Sequence, residues 1–202
     1  MKIGLFFGSY NPIHIGHLVI ADFILEFSDL DEIWFVVSPQ NPFKSIDELA
    51  ADEHRLNMTR LAIPEKNTRM KVCDVEMGMP RPSYTIDTLR RLEQESPGCT
   101  FVILLGSDNI AGIHDWKESA ALINGWDFYV YPREGSFNPK NLPSGRFTLI
   151  DAPVIGISST QIRHLIAHGV DASGYVPDDV WDYIIKNKIY GYGTTLTANA
   201  DK

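Results

Sequence analysis

Residues 1–20 read MKIGLFFGSYNPIHIGHLVI. Lys2–Phe7 is a short apolar run, of the kind expected for a strand buried on both faces. It passes directly into Gly8-Ser9-Tyr10. Apolar residues then return at helical spacing, with Leu18, Ala21, Ile24, Leu25 and Phe27 falling within Gly16–Phe27. Strand, glycine turn and helix in that order form the opening unit of an open parallel sheet.

The same alternation continues along the chain. Ile33–Ser38, Met70–Val75, Thr100–Leu105, Asp127–Tyr131 and Phe147–Ile150 read as further strands. Asp52–Ile63 reads as a helix with Asp52 at its N-cap and Pro64 beyond its end. Ser83–Glu95 reads as a second, with Ser83 in the capping position. Short helical stretches are expected at 108–113 and 117–123, and longer ones at Ser159–His168 and Asp178–Asn187. The pattern predicts a Rossmann-like α/β fold: a doubly wound, mostly parallel sheet with helices on both faces. It also predicts one domain over 1–190, a small helical part at 158–190 and a loose tail at 191–202.

Composition narrows the function. The chain has 202 residues, 44% hydrophobic and 22% charged, with a net charge of −8. An acidic surface argues against nucleic acid or an anionic membrane as partner, since both need basic patches. Cys73 and Cys99 are far apart and form no CxxC, which suits free thiols in a reducing compartment. The first apolar run is too short for a secretory segment or a membrane span. A cytoplasmic location is expected.

Open parallel sheets bind their ligands beyond the carboxyl ends of the strands. GSYNPIHIGH, residues 8–17, lies at such an end. Gly8 allows close backbone approach. Amides at a helix start attract an anion, and Asn11-Pro12 stiffens the turn. His14 and His17, three apart, can present both rings to one cleft, with Gly16 leaving room for a bulky ligand such as a purine. An imidazole can donate to a phosphate oxygen, and that bond strengthens as negative charge develops. Neither GxGxxG nor GK[ST] occurs here, and His-x-x-His alone lacks the third ligand of a zinc site.

A second candidate lies at Ile157-Ser158-Ser159-Thr160-Gln161-Ile162-Arg163. Three hydroxyl residues open a helix, so hydroxyls and free amides gather at its positive end. Ser158 and Gln161 also fit a capping box. Arg163, one turn in, can meet an oxyanion as a fork. Together they suit the terminal phosphates of a nucleotide. His164 and His168, four apart, read as a solvated helix face. Tyr131-Pro132-Arg133 reads either as a pocket lining or as an exposed turn.

GSYNPIHIGH resembles the G-[ST]-[FY]-[ND]-P-x-H-x-G-H signature of the nucleotidyltransferase superfamily, and residues 157–163 are similar to its I-S-S-T-x-I-R motif. Ser38–Lys44 (SPQNPFK), Arg81–Leu89 (RPSYTIDTL), Leu104–Trp116 (LLGSDNIAGIHDW) and Tyr175–Tyr190 resemble segments of the nicotinate mononucleotide adenylyltransferase family. Phe43 stands where that family often has histidine before the loop lysine.

The resemblance implies adenylyl transfer from ATP to nicotinate mononucleotide, with Mg2+ riding on the ATP phosphates. It implies that His17 stabilises charge at the α-phosphate. His14 and the backbone of Gly8, Ser9 and Tyr10 would hold the ATP phosphates. Ser158, Ser159, Thr160 and Arg163 would hold the departing pyrophosphate. Lys44, helped by Ser9, would bind the mononucleotide phosphate. Asp108 would meet a ribose, with Gly106 giving close approach, or else cap the following helix. Trp116 would stack on the pyridine, with Tyr84 and Thr85 beside it, and amides at Thr85-Ile86 and Trp116-Lys117 would receive its carboxylate. Nicotinamide mononucleotide or phosphopantetheine as acceptor, and a non-catalytic nucleotide-binding regulator, remain competing readings. The sequence leaves assembly into a homo-oligomer open.

Overall fold

The computed structural model describes residues 1–40, 49–64, 66–133, 135 and 142–193. Expectations for Phe43, Lys44 and the end of the tail from 194 on lie outside these residues.

The six strands are β1 (Lys2–Gly8), β2 (Glu32–Val37), β3 (Met70–Cys73), β4 (Thr100–Gly106), β5 (Asp127–Tyr131) and β6 (Phe147–Leu149). They form one sheet in the order β3-β2-β1-β4-β5-β6, and every neighbouring pair is parallel. The chain moves outward from β1 in one direction through β3, then returns beside β1 and moves the other way. The switch point therefore lies between β1 and β4.

Period-two alternation divides the central strands between two cores. On β1, Ile3 and Leu5 face one side and Phe6 the other. On β4, Val102 and Leu104 join Phe6, while Phe101, Ile103 and Leu105 join Leu5. The helices are α1 (Ile15–Glu26), α2 (Asp52–Ala62), α3 (Thr85–Glu95), α4 (Ser119–Gly125), α5 (Ser159–Ala167) and α6 (Asp178–Lys186). α1 and α2 cover the Phe6 face through Ile20, Ile24 and Met58. α3 and α4 cover the Leu5 face through Ile86, Leu89, Leu92 and Leu122. The change of face follows from right-handed crossovers running in opposite directions from β1.

α5 and α6 rejoin the Phe6 face, where Ile162, Ile166, Val180 and Ile184 are almost wholly buried. Each such side chain contributes roughly 1.5–3 kcal/mol. The C-terminal helices thus pack into the main core.

Several expected boundaries shift. α2 has Ala51, not Asp52, at its N-cap, and Asp52 instead bonds Arg55. α3 begins at Thr85 with Tyr84 as N-cap and no capping side chain. Ser83 is drawn toward the Gln40 carbonyl. The stretch expected to be helical at 108–113 is a pair of short 3-10 turns, Ser107–Asn109 and Ile113–Asp115.

Candidate active site

One cavity of about 620 Å3 opens at the carboxyl ends of β1 and β4, at the switch point. Gly8, Ser9, Tyr10, His14 and His17 line it from the β1 loop. Ser158, Ser159, Thr160 and Arg163 reach it from the start of α5. Gly106 and Asp108 follow β4 into it. Tyr84, Thr85 and Ile86 enter from α3, with Trp116 and Lys117 beside them. Every site residue expected from the sequence therefore meets in this hollow, apart from Lys44, which lies outside the described residues.

His14 is the N-cap residue of α1, and its amide donates to His17 Nδ1 at 3.2 Å. That bond assigns the His17 ring proton to Nε2, the tautomer of a neutral donor. The two imidazole centroids are 3.7 Å apart. Burial, reinforced by the charge of Arg133, depresses the His14 pKa to about 4. His14 is therefore uncharged near neutrality, and the close-packed pair carries no like-charge repulsion from it.

The glycines serve the protein's own packing. A Cβ on Gly8 would lie 2.7 Å from the Tyr10 ring. Tyr10 takes φ +45°, its side chain is buried, and its hydroxyl donates to the Phe6 carbonyl. Left-handed backbone is strained for a bulky residue; here the buried ring and that hydrogen bond hold it. A Cβ on Gly16 would meet Ile155 at 2.9 Å and His14 Nδ1 at 3.0 Å. The room expected there for a purine goes to these two side chains. On Gly106 a Cβ would meet Asp108 Oδ1 at 2.5 Å. Asp108 itself lies inside the first 3-10 turn, whose N-cap is Gly106, so it is not the capping residue.

α5 is fastened to the β1 loop. Ser158 and Gln161 form the expected capping box. Ser159 Oγ donates to the Pro12 carbonyl at 2.8 Å, and Arg163 donates to the Asn11 carbonyl at 3.0 Å. Asn11 Oδ1 in turn accepts from the Ala50 amide and the Tyr190 hydroxyl. Two motifs 147 to 152 residues apart at these contacts thus share one wall. Arg133 also lines the cavity, with its guanidinium 3.9 Å from Asp108. That favours the pocket reading of Tyr131-Pro132-Arg133.

On the opposite wall, the first amides of α3 have no helical carbonyl to bond, as at any helix start. Lys117 bonds Asp87 at 2.8 Å and lies 4.9 Å over the Tyr84 ring. Trp116 is half-buried against the Leu5-face core, with part of its surface on the cavity.

Among the described residues, three buried side-chain atoms have no hydrogen-bond partner: Ser9 Oγ, His14 Nδ1 and Glu76 Oε2. All three residues line this cavity. Buried polar groups without partners are costly, so their convergence marks a place built for something other than the fold.

Residues 5–165 match the cytidylyltransferase-like family. A probable nicotinate-nucleotide adenylyltransferase of Flavobacterium johnsoniae is 44% identical over 193 residues, covering 94% of this chain and 99% of that one. Another, of Bacteroides fragilis, is 44% identical and covers 92% of each. This chain belongs to the nicotinate-nucleotide adenylyltransferase family. Plasmodium falciparum nicotinic acid mononucleotide adenylyltransferase, solved in complex with NaAD, superposes with a TM-score of 0.77 at 27% identity, over 96% of this chain and 98% of that one.

Two buried charged residues beside the cavity escaped the sequence reading. Arg55 is fully buried. It donates to the carbonyls of Ser9, Ser38, Pro39 and Ala50 at 2.7, 2.6, 2.9 and 3.0 Å, and to Asp52 at 2.6 Å. It therefore locks the loops after β1 and β2 to α2. Its signal was present: Arg55, Met58, Thr59 and Ala62 fall at i, i+3, i+4 and i+7, which puts a cation on the inward stripe. Glu76, in the turn Val75–Gly78, has no comparable pattern. The helix pair His164 and His168 is exposed, and no metal-binding cluster occurs among the described residues.

The arrangement can gather phosphates. Hydroxyls, helix-start amides, two imidazoles and two guanidinium groups face one hollow, whereas among the described residues no nucleophile–base pair does. No helix among the described residues is long and apolar enough to cross a membrane.

Proposed function

We propose that this adenylyltransferase joins ATP to nicotinate mononucleotide, forming nicotinate adenine dinucleotide and releasing pyrophosphate. The observation that carries the reading is the single cavity shared by His14, His17, the α5 hydroxyls, Arg163 and the Tyr84–Trp116 wall. The attacking atom is a phosphate oxygen of the mononucleotide, already ionised at neutral pH, so no strong base is required. The P–O bond to the β-phosphate breaks and pyrophosphate takes the electron pair. Catalysis is positioning and charge stabilisation.

His17, with its proton on Nε2, donates to the α-phosphate as charge grows. His14 and the Gly8–Tyr10 backbone hold the ATP chain. Ser158, Ser159, Thr160 and Arg163 receive the pyrophosphate, and Asp108 meets the ribose. Ser9 and Lys44 take the mononucleotide phosphate. Trp116 stacks on the pyridine, whose carboxylate lies against the amides of Thr85, Ile86 and Lys117, near Tyr84. Mg2+ arrives on the ATP phosphates as part of the substrate. The protein is read as a cytoplasmic enzyme of small molecules.

Pyrophosphate release tests this directly. With ATP fixed, nicotinate mononucleotide should be consumed faster than nicotinamide mononucleotide, and phosphopantetheine not at all. Equal or preferred use of either alternative would replace the acceptor. No turnover of any would favour a nucleotide-binding regulator.

A further inference from the structure

Ser9 and His14 already have places in the phosphate half of the cavity; Glu76 has none. Its side chain is 2% exposed. Oε1 accepts from the Thr88 hydroxyl at 2.7 Å; Oε2 makes no hydrogen bond of good geometry, although the Ser38 and Ser83 hydroxyls lie beside the carboxyl. The Thr88 hydroxyl also lies 3.2 Å from the Tyr84 carbonyl. Thr88 is the fourth residue of α3, one turn inside the helix whose first residues, Thr85 and Ile86, face the cavity. Glu76 is thus one bond removed from the helix end that receives the acceptor. A carboxyl group sealed from water with one oxygen lacking a well-formed hydrogen bond weakens a fold. An apolar side chain of similar size would serve packing better.

We propose that Glu76 is a positioning residue: through Thr88 it sets how far the first turn of α3 reaches toward the ring carboxylate of the pyridine mononucleotide. It thereby governs affinity for the acidic acceptor and leaves ATP affinity alone. The inference rests on the acceptor assigned above. Burial raises the proton affinity of the Glu76 carboxyl above that of an ordinary glutamate, despite hydrogen bonding that favours the ion.

The test compares Glu76→Leu, Thr88→Val and Glu76→Gln with the wild type. Calorimetry gives the Kd of nicotinate mononucleotide and of ATP, and steady-state rates give the preference for acid over amide acceptor. Glu76→Leu and Thr88→Val should weaken the mononucleotide roughly tenfold or more, with ATP held within about twofold. The acid preference should fall by at least about fivefold, with Tm not lowered in Glu76→Leu. Glu76→Gln, which still accepts from Thr88, should stay within about threefold of wild type. Unchanged mononucleotide affinity in Glu76→Leu, or equal weakening of ATP, would overturn the assignment. If the wild type binds the mononucleotide without turning it over, the proposed reaction fails and the affinities still decide Glu76's role. If it does not bind it, both fail.

Discussion

The His14 and His17 rings lie 3.7 Å apart within one turn, yet their tasks differ because their surroundings differ. The backbone of His14 holds His17 in a donor tautomer, and a preorganised donor gains strength where charge develops. His17→Ala should lower kcat by roughly 10²–10³ with little change in Tm; a near-wild-type kcat would remove it from the mechanism. His14 is held neutral, with its pKa at about 4, against an unfolded value of about 6.5. As pH falls below the unfolded value, the unfolded chain takes a proton that the folded chain refuses. Stability is therefore lost on acidification through that window, by up to about 3 kcal/mol from this one residue, and is unaffected above it. Urea unfolding from pH 7 down to about 4 should show a steeper loss for wild type than for His14→Gln. Parallel curves would contradict the assignment.

At the scale of elements, α2 and α3 do different work from that suggested by their apolar faces. α2 buries a guanidinium whose donors span four loop carbonyls and Asp52. A lysine offers no planar fork and cannot span them. Arg55→Lys should cost roughly 3–5 kcal/mol in urea unfolding, the scale of breaking a buried, fully bonded ion. A loss below about 1 kcal/mol would show that the loops hold themselves. The helices and strands themselves were legible, because 3.6- and 2-residue periods survive in the apolar residues. Their ends were less so. Asp52 looked like a cap, but its carboxylate is drawn to Arg55 and Arg81. Ser83 looked like a cap, but it is drawn to the Gln40 carbonyl. Asp52 is taken by Arg55 one turn on and by the distant Arg81, and Ser83 by a carbonyl 43 residues away; capping spacing alone registers none of these partners. Gly8 and Gly16 were marked as special, but the neighbours that require them, the Tyr10 ring and Ile155, appear only in three dimensions.

For the molecule as a whole, the sheet order collects one site from the ends of β1, β2 and β4 and the starts of α1, α3 and α5. The phosphate motifs were legible because each is contiguous in sequence. Glu76 was not, since it reaches the cavity through a short turn with no period of its own. Although the chain carries a net charge of −8, Arg133 and Arg163 flank the histidines, so an anionic protein can still present positive groups to two phosphorylated substrates. The most direct test is a crystal structure with nicotinate adenine dinucleotide bound. Its pyridine should lie on Trp116 with the carboxylate at the first turn of α3, and its linking phosphates should contact His14 and His17. A dinucleotide seated outside this cavity, or with its phosphates away from both imidazoles, would contradict the account.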